Sequence, residues 1–260
     1  MNTHADKHTI LHLAADTGRL ILENGGETHR VEETMNALCR SFGYGDSESF
    51  VTPTGIFLSV SDDDGRTRSI IRRIKHRSIN LNKVLLAGRL AESVCSDRLS
   101  PVEMRRELIR IENEPGYAAW LTVPAAALTA GFFTLLFGGG AGEFGVALYT
   151  GGTIKALSLL LSSIRLNEFF INVAGGALAA LLALVSAAMI PGIQANSIII
   201  GSIMLLVPGL AITNSIRDTL AGDLLSGLAR AMESFLIAVA IAAGSGIVLK
   251  LWYLLAGGIR

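Results

Sequence analysis

Residues 101–136 read PVEMRRELIRIENEPGYAAWLTVPAAALTAGFFTLL, and a change of solvent partway along this stretch decides the fold. Up to Glu114 the stretch is dense in carboxylates and guanidinium groups. From Tyr117 to Leu136 it carries no Asp, Glu, Lys or Arg, and about 20 such residues are what a helix needs to cross a hydrocarbon core roughly 30 Å thick. Pro115-Gly116 marks the boundary. The whole chain repeats the contrast: residues 1–116 hold 33 of its 44 Asp, Glu, Lys and Arg residues and residues 117–260 hold the other 11. That distribution describes one part in water and one in lipid. The expected fold class is therefore an α-helical membrane protein of about five transmembrane helices with an N-terminal α+β cytoplasmic domain. Its domains are residues 1–116 and 117–260, with spans near 118–138, 144–163, 169–190, 195–213 and 224–254.

Working back toward the N-terminus, Pro101 to Ile111 reads as a helix opened by Ser100-Pro101, with Glu103 in its first turn. Asn80 to Ser96 reads as another. Ile10, Leu13, Ala14, Thr17, Leu20 and Ile21 share one face of a first amphipathic helix that Asn24-Gly25-Gly26 stops. Thr28 is placed as the N-cap of a second helix, whose stripe is Val31, Met35, Leu38, Cys39 and Phe42. Between these helices Glu48–Thr52, Gly55–Ser61 and Arg66–Ile74 read as a three-stranded meander with an Asp62-Asp63-Asp64-Gly65 turn.

Composition excludes several classes of function. The formal net charge is zero and no basic tail stands apart, so nucleic acid is not expected as a partner. Cys39 and Cys95 give neither a disulfide framework nor a zinc spacing. No apolar signal-peptide core opens the chain, which keeps the N-terminal domain in the cytoplasm. There is no Walker lysine loop and no G-x-S-x-G elbow, hence no signal for ATP-driven transport or a serine hydrolase. His29-Arg30-Val31-Glu32-Glu33 follows the inverted zinc-peptidase order only as far as its last position, where Glu33 replaces the second histidine. No zinc protease, catalytic residue, cofactor or metal is expected on that evidence. His8 and His12 share a helical face near the terminus and read as solvated. The basic run Arg66 to Arg77 reads as a solvated strand and loop near anionic headgroups.

Loops supply the topology. With the N-terminal domain inside, the inner loops contain Arg165 and Arg217 while the outer loops, Gly138–Gly142 and Pro191–Ile193, contain no Lys or Arg. The final segment is longer than one span requires, so its first turns, including Arg230, extend into the cytoplasm or tilt. An odd number of spans puts Arg260 outside, in a multi-pass protein of the cell inner membrane.

Polar groups at membrane depth mark candidate pathway residues, because lipid penalises them unless they face a cavity or another helix. Lys155 lies mid-span beside Thr150, Gly151, Gly152 and Thr153. Its ammonium can bind a carboxylate, pair with Asp218 or Glu233, carry a coupling proton, or snorkel. Pro208-Gly209 predicts a broken or kinked helix, since Pro208 lacks an amide hydrogen. Asn214 and Asp218 share a face where helix resumes, with Arg217 adjacent for charge balance. Both also fit an ordinary cytoplasmic loop. Asn172, Asn196, Asp223 and Glu233 are secondary pathway candidates. The asparagines equally suit hydrogen bonds between helices.

The motifs Gly25-Gly26-Glu27-Thr28-His29-Arg30-Val31-Glu32-Glu33, Thr52-Pro53-Thr54-Gly55-Ile56, Ser78-Ile79-Asn80 and Leu206-Val207-Pro208-Gly209 resemble the threonine/serine exporter (ThrE) family. So do Asn214, Asp218, Gly222 and Gly227-Leu228-Ala229-Arg230, and the resemblance covers essentially the whole chain. It is similar to the split, YjjP-type form, which implies a separate small membrane subunit of the YjjB type and a succinate-like dicarboxylate as cargo rather than threonine. Self-association is the other way to complete a pathway from about five spans. The expectation is a secondary exporter subunit, with the lipid bilayer and a small carboxylate as its partners. A membrane-anchored hydrolase and a sensor or scaffold subunit are the rivals.

Overall fold

The computed structural model describes residues 7–61, 66–96 and 99–256. The acidic 62–65 turn and Arg260 lie outside the described residues. Helices dominate, and the chain divides into two compact units, residues 1–116 with 210–232 and residues 117–209 with 233–260.

In the first unit, α1 (Lys7–Glu23) and α2 (Thr28–Ser41) are joined by a tight glycine turn. Gly25 adopts φ +97°, and the amides of Gly26 and Gly25 donate to Ile21 O (2.9 Å) and Leu22 O (3.3 Å). This paired capping of the last carbonyls is the helix stop that a left-handed glycine permits. Strands β1 (Ser47–Thr52), β2 (Gly55–Ser61) and β3 (Thr67–Arg73) follow as an antiparallel meander in the order β1-β2-β3. Val51 pairs with Ile56 and Leu58 with Ile70. Those side chains are buried while Phe50, Phe57 and Ile71 on the other face are exposed, the period-2 alternation of a half-covered sheet. Helices α3 (Leu81–Cys95) and α4 (Pro101–Glu112) complete the N-terminal part. Asn80 caps α3 by accepting from Lys83 N. Ser100 and Glu103 form a reciprocal capping box on α4, as the sequence signature requires. Ile21, Met35, Leu38, Ile56, Leu58 and Met104 are fully buried at the centre.

The second unit contains α5 (Ala119–Leu136), α6 (Ala141–Ser163), α7 (Glu168–Met189), α8 (Ala195–Ile203) and most of α10 (Leu224–Ala256). Among the described residues, α5, α6, α7 and α10 are long and apolar enough to cross a membrane. Small residues let these helices approach closely. Gly201 of α8 lies against the backbone of Thr134 in α5, Gly176 of α7 against the Ile241 carbonyl in α10, and Gly244 of α10 against the Val173 carbonyl in α7. Ala180 and Ala183 are fully buried. Glu143, in the first turn of α6, accepts from Gly140 N and Gln194 N, both at 2.9 Å, and so ties two loops together.

The break expected at Pro208-Gly209 is present, and one expectation is corrected. The stretch 195–213, read as a span broken or kinked at Pro208-Gly209, is interrupted: α8 stops at Ile203, and α9 (Gly209–Ala221) begins after Pro208. Pro208 has no amide to continue the ladder, so the α8 chain cannot run through it. Residues 214–223, read as a connecting loop, are mostly helical for the same reason, since α9 starts afresh from Gly209.

Candidate functional site

The functional candidates fall into both units. In the first, α9 and the opening turns of α10 bring charged side chains onto the α1–α2 turn. A second glycine turn makes this possible. Gly222 adopts φ +96°, with Asp223 N donating to Asp218 O (2.9 Å) and Gly222 N to Thr219 O (3.2 Å). Gly227 then sits directly against Thr219 and the Ser215 carbonyl, and the Ser215 hydroxyl donates to Gly227 O at 2.8 Å. Any side chain at position 227 would wedge α9 and α10 apart.

Asn214 and Asp218 occupy one face of α9, as their four-residue spacing predicts, and both are buried. Asn214 Nδ2 donates to Gly25 O at 3.1 Å. Asp218 takes the Thr28 amide on Oδ1 (3.3 Å) and the Thr28 hydroxyl on Oδ2 (3.1 Å). Thr28 is therefore the first residue of α2 and not its cap. Glu27 holds the cap position without a side-chain bond to the helix, and the carboxylate that satisfies the opening amide comes from α9. An anion at a helix N-terminus is favoured by the orphan N–H groups and the helix dipole.

The charge partner of Asp218 is Arg230 rather than Lys155 or Arg217. Arg230 Nε lies 3.0 Å from Asp218 Oδ2, and the two side chains are 7% and 1% exposed. The Nε–H does not point along that line, so the contact counts as charge against charge. Arg230 Nη2 donates to Gly26 O at 2.9 Å. Arg217 pairs instead with Glu27. The Ser226 hydroxyl donates to Val51 O at 3.2 Å, joining α10 to β1.

Beside this pair stand two more acids. Glu32 Oε1 accepts from Val51 N at 2.8 Å. Burial pushes the Glu32 carboxyl above the usual range, and nearby Asp223 and Asp218 add to this while the Val51 amide and His29 oppose it. Asp223 is likewise raised, first by burial and then by Asp218, with His29 opposing. One ligand atom each from His29, Glu32 and Asp223 lie within 4.8 Å of one another. His29 Nε2 is 3.1 Å from Glu33 Oε1.

In the second unit, Lys155 is half-buried on α6, and among the described residues it has no hydrogen-bonding or ion-pair partner. Asn172 is buried but spends its amide on its own helix, donating to Glu168 O at 2.9 Å. Asn196 is exposed in the first turn of α8, and Glu233 is half-buried on α10. Pro208 and Gly209 stand at the helix break.

Sequence spacing singled out Asn214 and Asp218, and Asp223 was a secondary candidate. It missed Thr28 as a donor to Asp218, Arg230 as the counter-ion, and Glu32 with His29 as neighbours of Asp223. Arg230 was read as a charge in the opening turns of the last segment, and only its partner lay out of reach.

Comparison with known proteins agrees with this architecture. The family model for threonine/serine exporters, ThrE, matches residues 12–252. The chain is 26% identical over 243 residues to the Mycobacterium tuberculosis protein named "Probable threonine/serine exporter", covering 92% of this chain and 46% of that protein. It is 26% identical over 258 residues to the Corynebacterium glutamicum "Threonine/serine exporter", covering 96% of this chain and 53% of that one. The chain thus spans about half the length of these two relatives. With the Escherichia coli "Probable succinate transporter subunit YjjP" it shares 27% identity over 255 residues, 95% of this chain and 96% of that protein. No solved structure matches it. With its apolar helices and a family match across nearly its whole length, this chain is a multi-pass membrane protein belonging to the threonine/serine exporter family.

Proposed function

We propose that this chain is one subunit of a secondary exporter that moves a small carboxylate-bearing metabolite, a succinate-like dicarboxylate or threonine and serine, out of the cytoplasm across the inner membrane. The observation that carries the reading is the interrupted helix between α8 and α9. Segments 1–116 and 210–232 pack into one unit and so share one aqueous side, the cytoplasm by the placement of Arg165 and Arg217. Three full spans, α5 to α7, would leave the chain outside. The stretch from Ala195 to Gly209 must therefore bring it back.

That return is short. The nine residues of α8 rise about 14 Å. Met204, Leu205 and Leu206 continue as turns bonded to Ile200, Ser202 and Ile203, so Ala195 to Pro208 is shorter than a core roughly 30 Å thick, and thinning of the bilayer accommodates a short crossing. The fourth crossing is then a half-helix followed by turns and a break at Val207-Pro208 at membrane depth. Irregular backbone is tolerated there only where it lines a cavity or is buried in protein, and secondary transporters use such breaks to present backbone dipoles to ions and substrates. With α10 as the fifth crossing, the chain ends outside.

Lys155 supplies the cation for a substrate carboxylate, and Pro208-Gly209 forms the gate or site. Asn214 and Asp218 lie at the cytoplasmic mouth, where binding cargo or a coupling cation would require them to exchange their present bonds to Gly25 and Thr28. Asn172, Asn196, Asp223 and Glu233 are secondary positions on the path. The Escherichia coli relative is named as a subunit, which supports completion of the pathway by a small membrane subunit of the YjjB type or by self-association. Lys155→Met is expected to abolish efflux of the labelled carboxylate from expressing cells while the protein still inserts in the membrane at wild-type level. Normal efflux by an inserted Lys155→Met protein removes the anion site from the reading.

A further inference from the structure

We infer that His29, Glu32 and Asp223 form a binding site for a divalent transition-metal ion of the zinc or manganese class. The inference stands apart from the transport reading and does not depend on it. His29 and Glu32 lie one turn apart on the first turns of α2, and Asp223 follows Gly222 in the α9–α10 turn. Their ligand atoms lie within 4.8 Å of one another. Small side-chain rotations bring that spacing to the separations set by metal bonds of about 2.1 Å.

Three features point to a cation. Asp223 Oδ2 is buried from solvent and accepts no hydrogen bond from the protein, and an orphaned buried carboxylate oxygen is costly unless something positive satisfies it. The charges do not balance either. Arg230 answers Asp218, whereas Glu32 and Asp223 face each other with His29 as the neighbour that offsets them. The two carboxylates meet at one place, and one divalent ion cancels their charge. Lastly, the supports of a metal site are already present. Val51 N holds Glu32 through Oε1, leaving Oε2 for an ion, and Glu33 engages one ring nitrogen of His29, the outer-shell carboxylate that orients many ligating histidines.

The donor set selects the class of ion. One imidazole with two carboxylates suits zinc or manganese better than calcium or magnesium, which favour all-oxygen shells. The motif His29-x-x-Glu32 is one ligand short by itself, and the fold supplies the third from Asp223. Three protein ligands also leave a coordination position open to water or an incoming anion. Exposed His29 places that position at the surface. A bound ion would fasten the start of α2 to the α9–α10 turn, next to the Asp218–Arg230 pair.

The test uses the full-length chain purified in detergent without a polyhistidine tag and stripped by chelator. It is titrated with Zn²⁺ by calorimetry and with Mn²⁺ by loss of the free-ion paramagnetic signal. We expect one equivalent of at least one ion to bind. His29→Ala and Asp223→Asn should weaken that binding at least tenfold, roughly the scale that even an outer-shell loss produces, while His8→Ala/His12→Ala should leave it unchanged. Saturating metal should raise the unfolding temperature of the wild type and not that of the variants, whose metal-free circular dichroism should match the wild type. Absence of binding by either ion, or binding equal in wild type, His29→Ala and Asp223→Asn, overturns the site. Variants that fail the circular dichroism check are replaced by Glu32→Gln, on which the same tenfold criterion decides.

Discussion

Asp218 shows how much one buried carboxylate can organise. It caps a helix remote in sequence, accepts from the Thr28 hydroxyl and faces Arg230. Removing one member of a buried ion pair strands the other charge and costs roughly 3–5 kcal/mol, whereas replacing both with apolar groups is far milder. Arg230→Met alone is therefore expected to lower the unfolding temperature in detergent more than the double variant Asp218→Leu/Arg230→Met. An equal or smaller effect of the single variant contradicts the pairing. Asp218→Asn keeps an acceptor for Thr28 N but also leaves Arg230 without its counter-ion, so it too should cost more than the double variant. Cysteine chemistry offers a second check at this scale. Burial pushes the Cys39 thiol up to about 11, so its reactive thiolate is scarce at pH 8, while Cys95 is exposed. One thiol per folded chain should react rapidly with a maleimide at pH 8, and mass mapping should find it at Cys95. Modification of Cys39 at a comparable rate would show that the first unit is open.

Among the elements, the Gly25 turn and the start of α4 were legible because local chemistry dictates them: Gly25 supplies a positive φ, and Ser100 with Glu103 satisfies the first turn of α4. The meander was legible through its alternation. The second helix was read with Thr28 as cap because hydroxyl residues favour that position. The acceptor lies on α9, and no window of sequence around Thr28 contains it. The 195–213 stretch was long and apolar enough to count as a span, yet Pro208 within it stops the backbone ladder. The proposed topology makes the break a crossing, and labelling tests this directly. In a background lacking native cysteines, Gly192→Cys should react with a membrane-impermeant maleimide on intact cells. Leu220→Cys, on an exposed position of α9, should react only after permeabilisation. Labelling of both from outside would contradict the return of the chain between Ala195 and Gly209.

At the scale of the molecule, the loss of charge after Pro115-Gly116 made the long apolar helices α5, α6, α7 and α10 legible. The membership of residues 210–232 in the first unit was not legible, because it rests on contacts of Asn214, Asp218, Ser226 and Arg230 with residues nearly two hundred positions earlier. Lys155 was legible as a charge in an apolar run, and its lack of a protein partner among the described residues became visible only in three dimensions. The cargo is a matter of flux. The most direct measurement is efflux of labelled succinate and labelled threonine from proteoliposomes containing the purified chain, alone and with a small membrane subunit of the YjjB type. Efflux of one of these carboxylates is expected with both subunits present, and its loss when Lys155→Met replaces the wild-type chain. No efflux of either compound with the partner present would contradict the exporter reading.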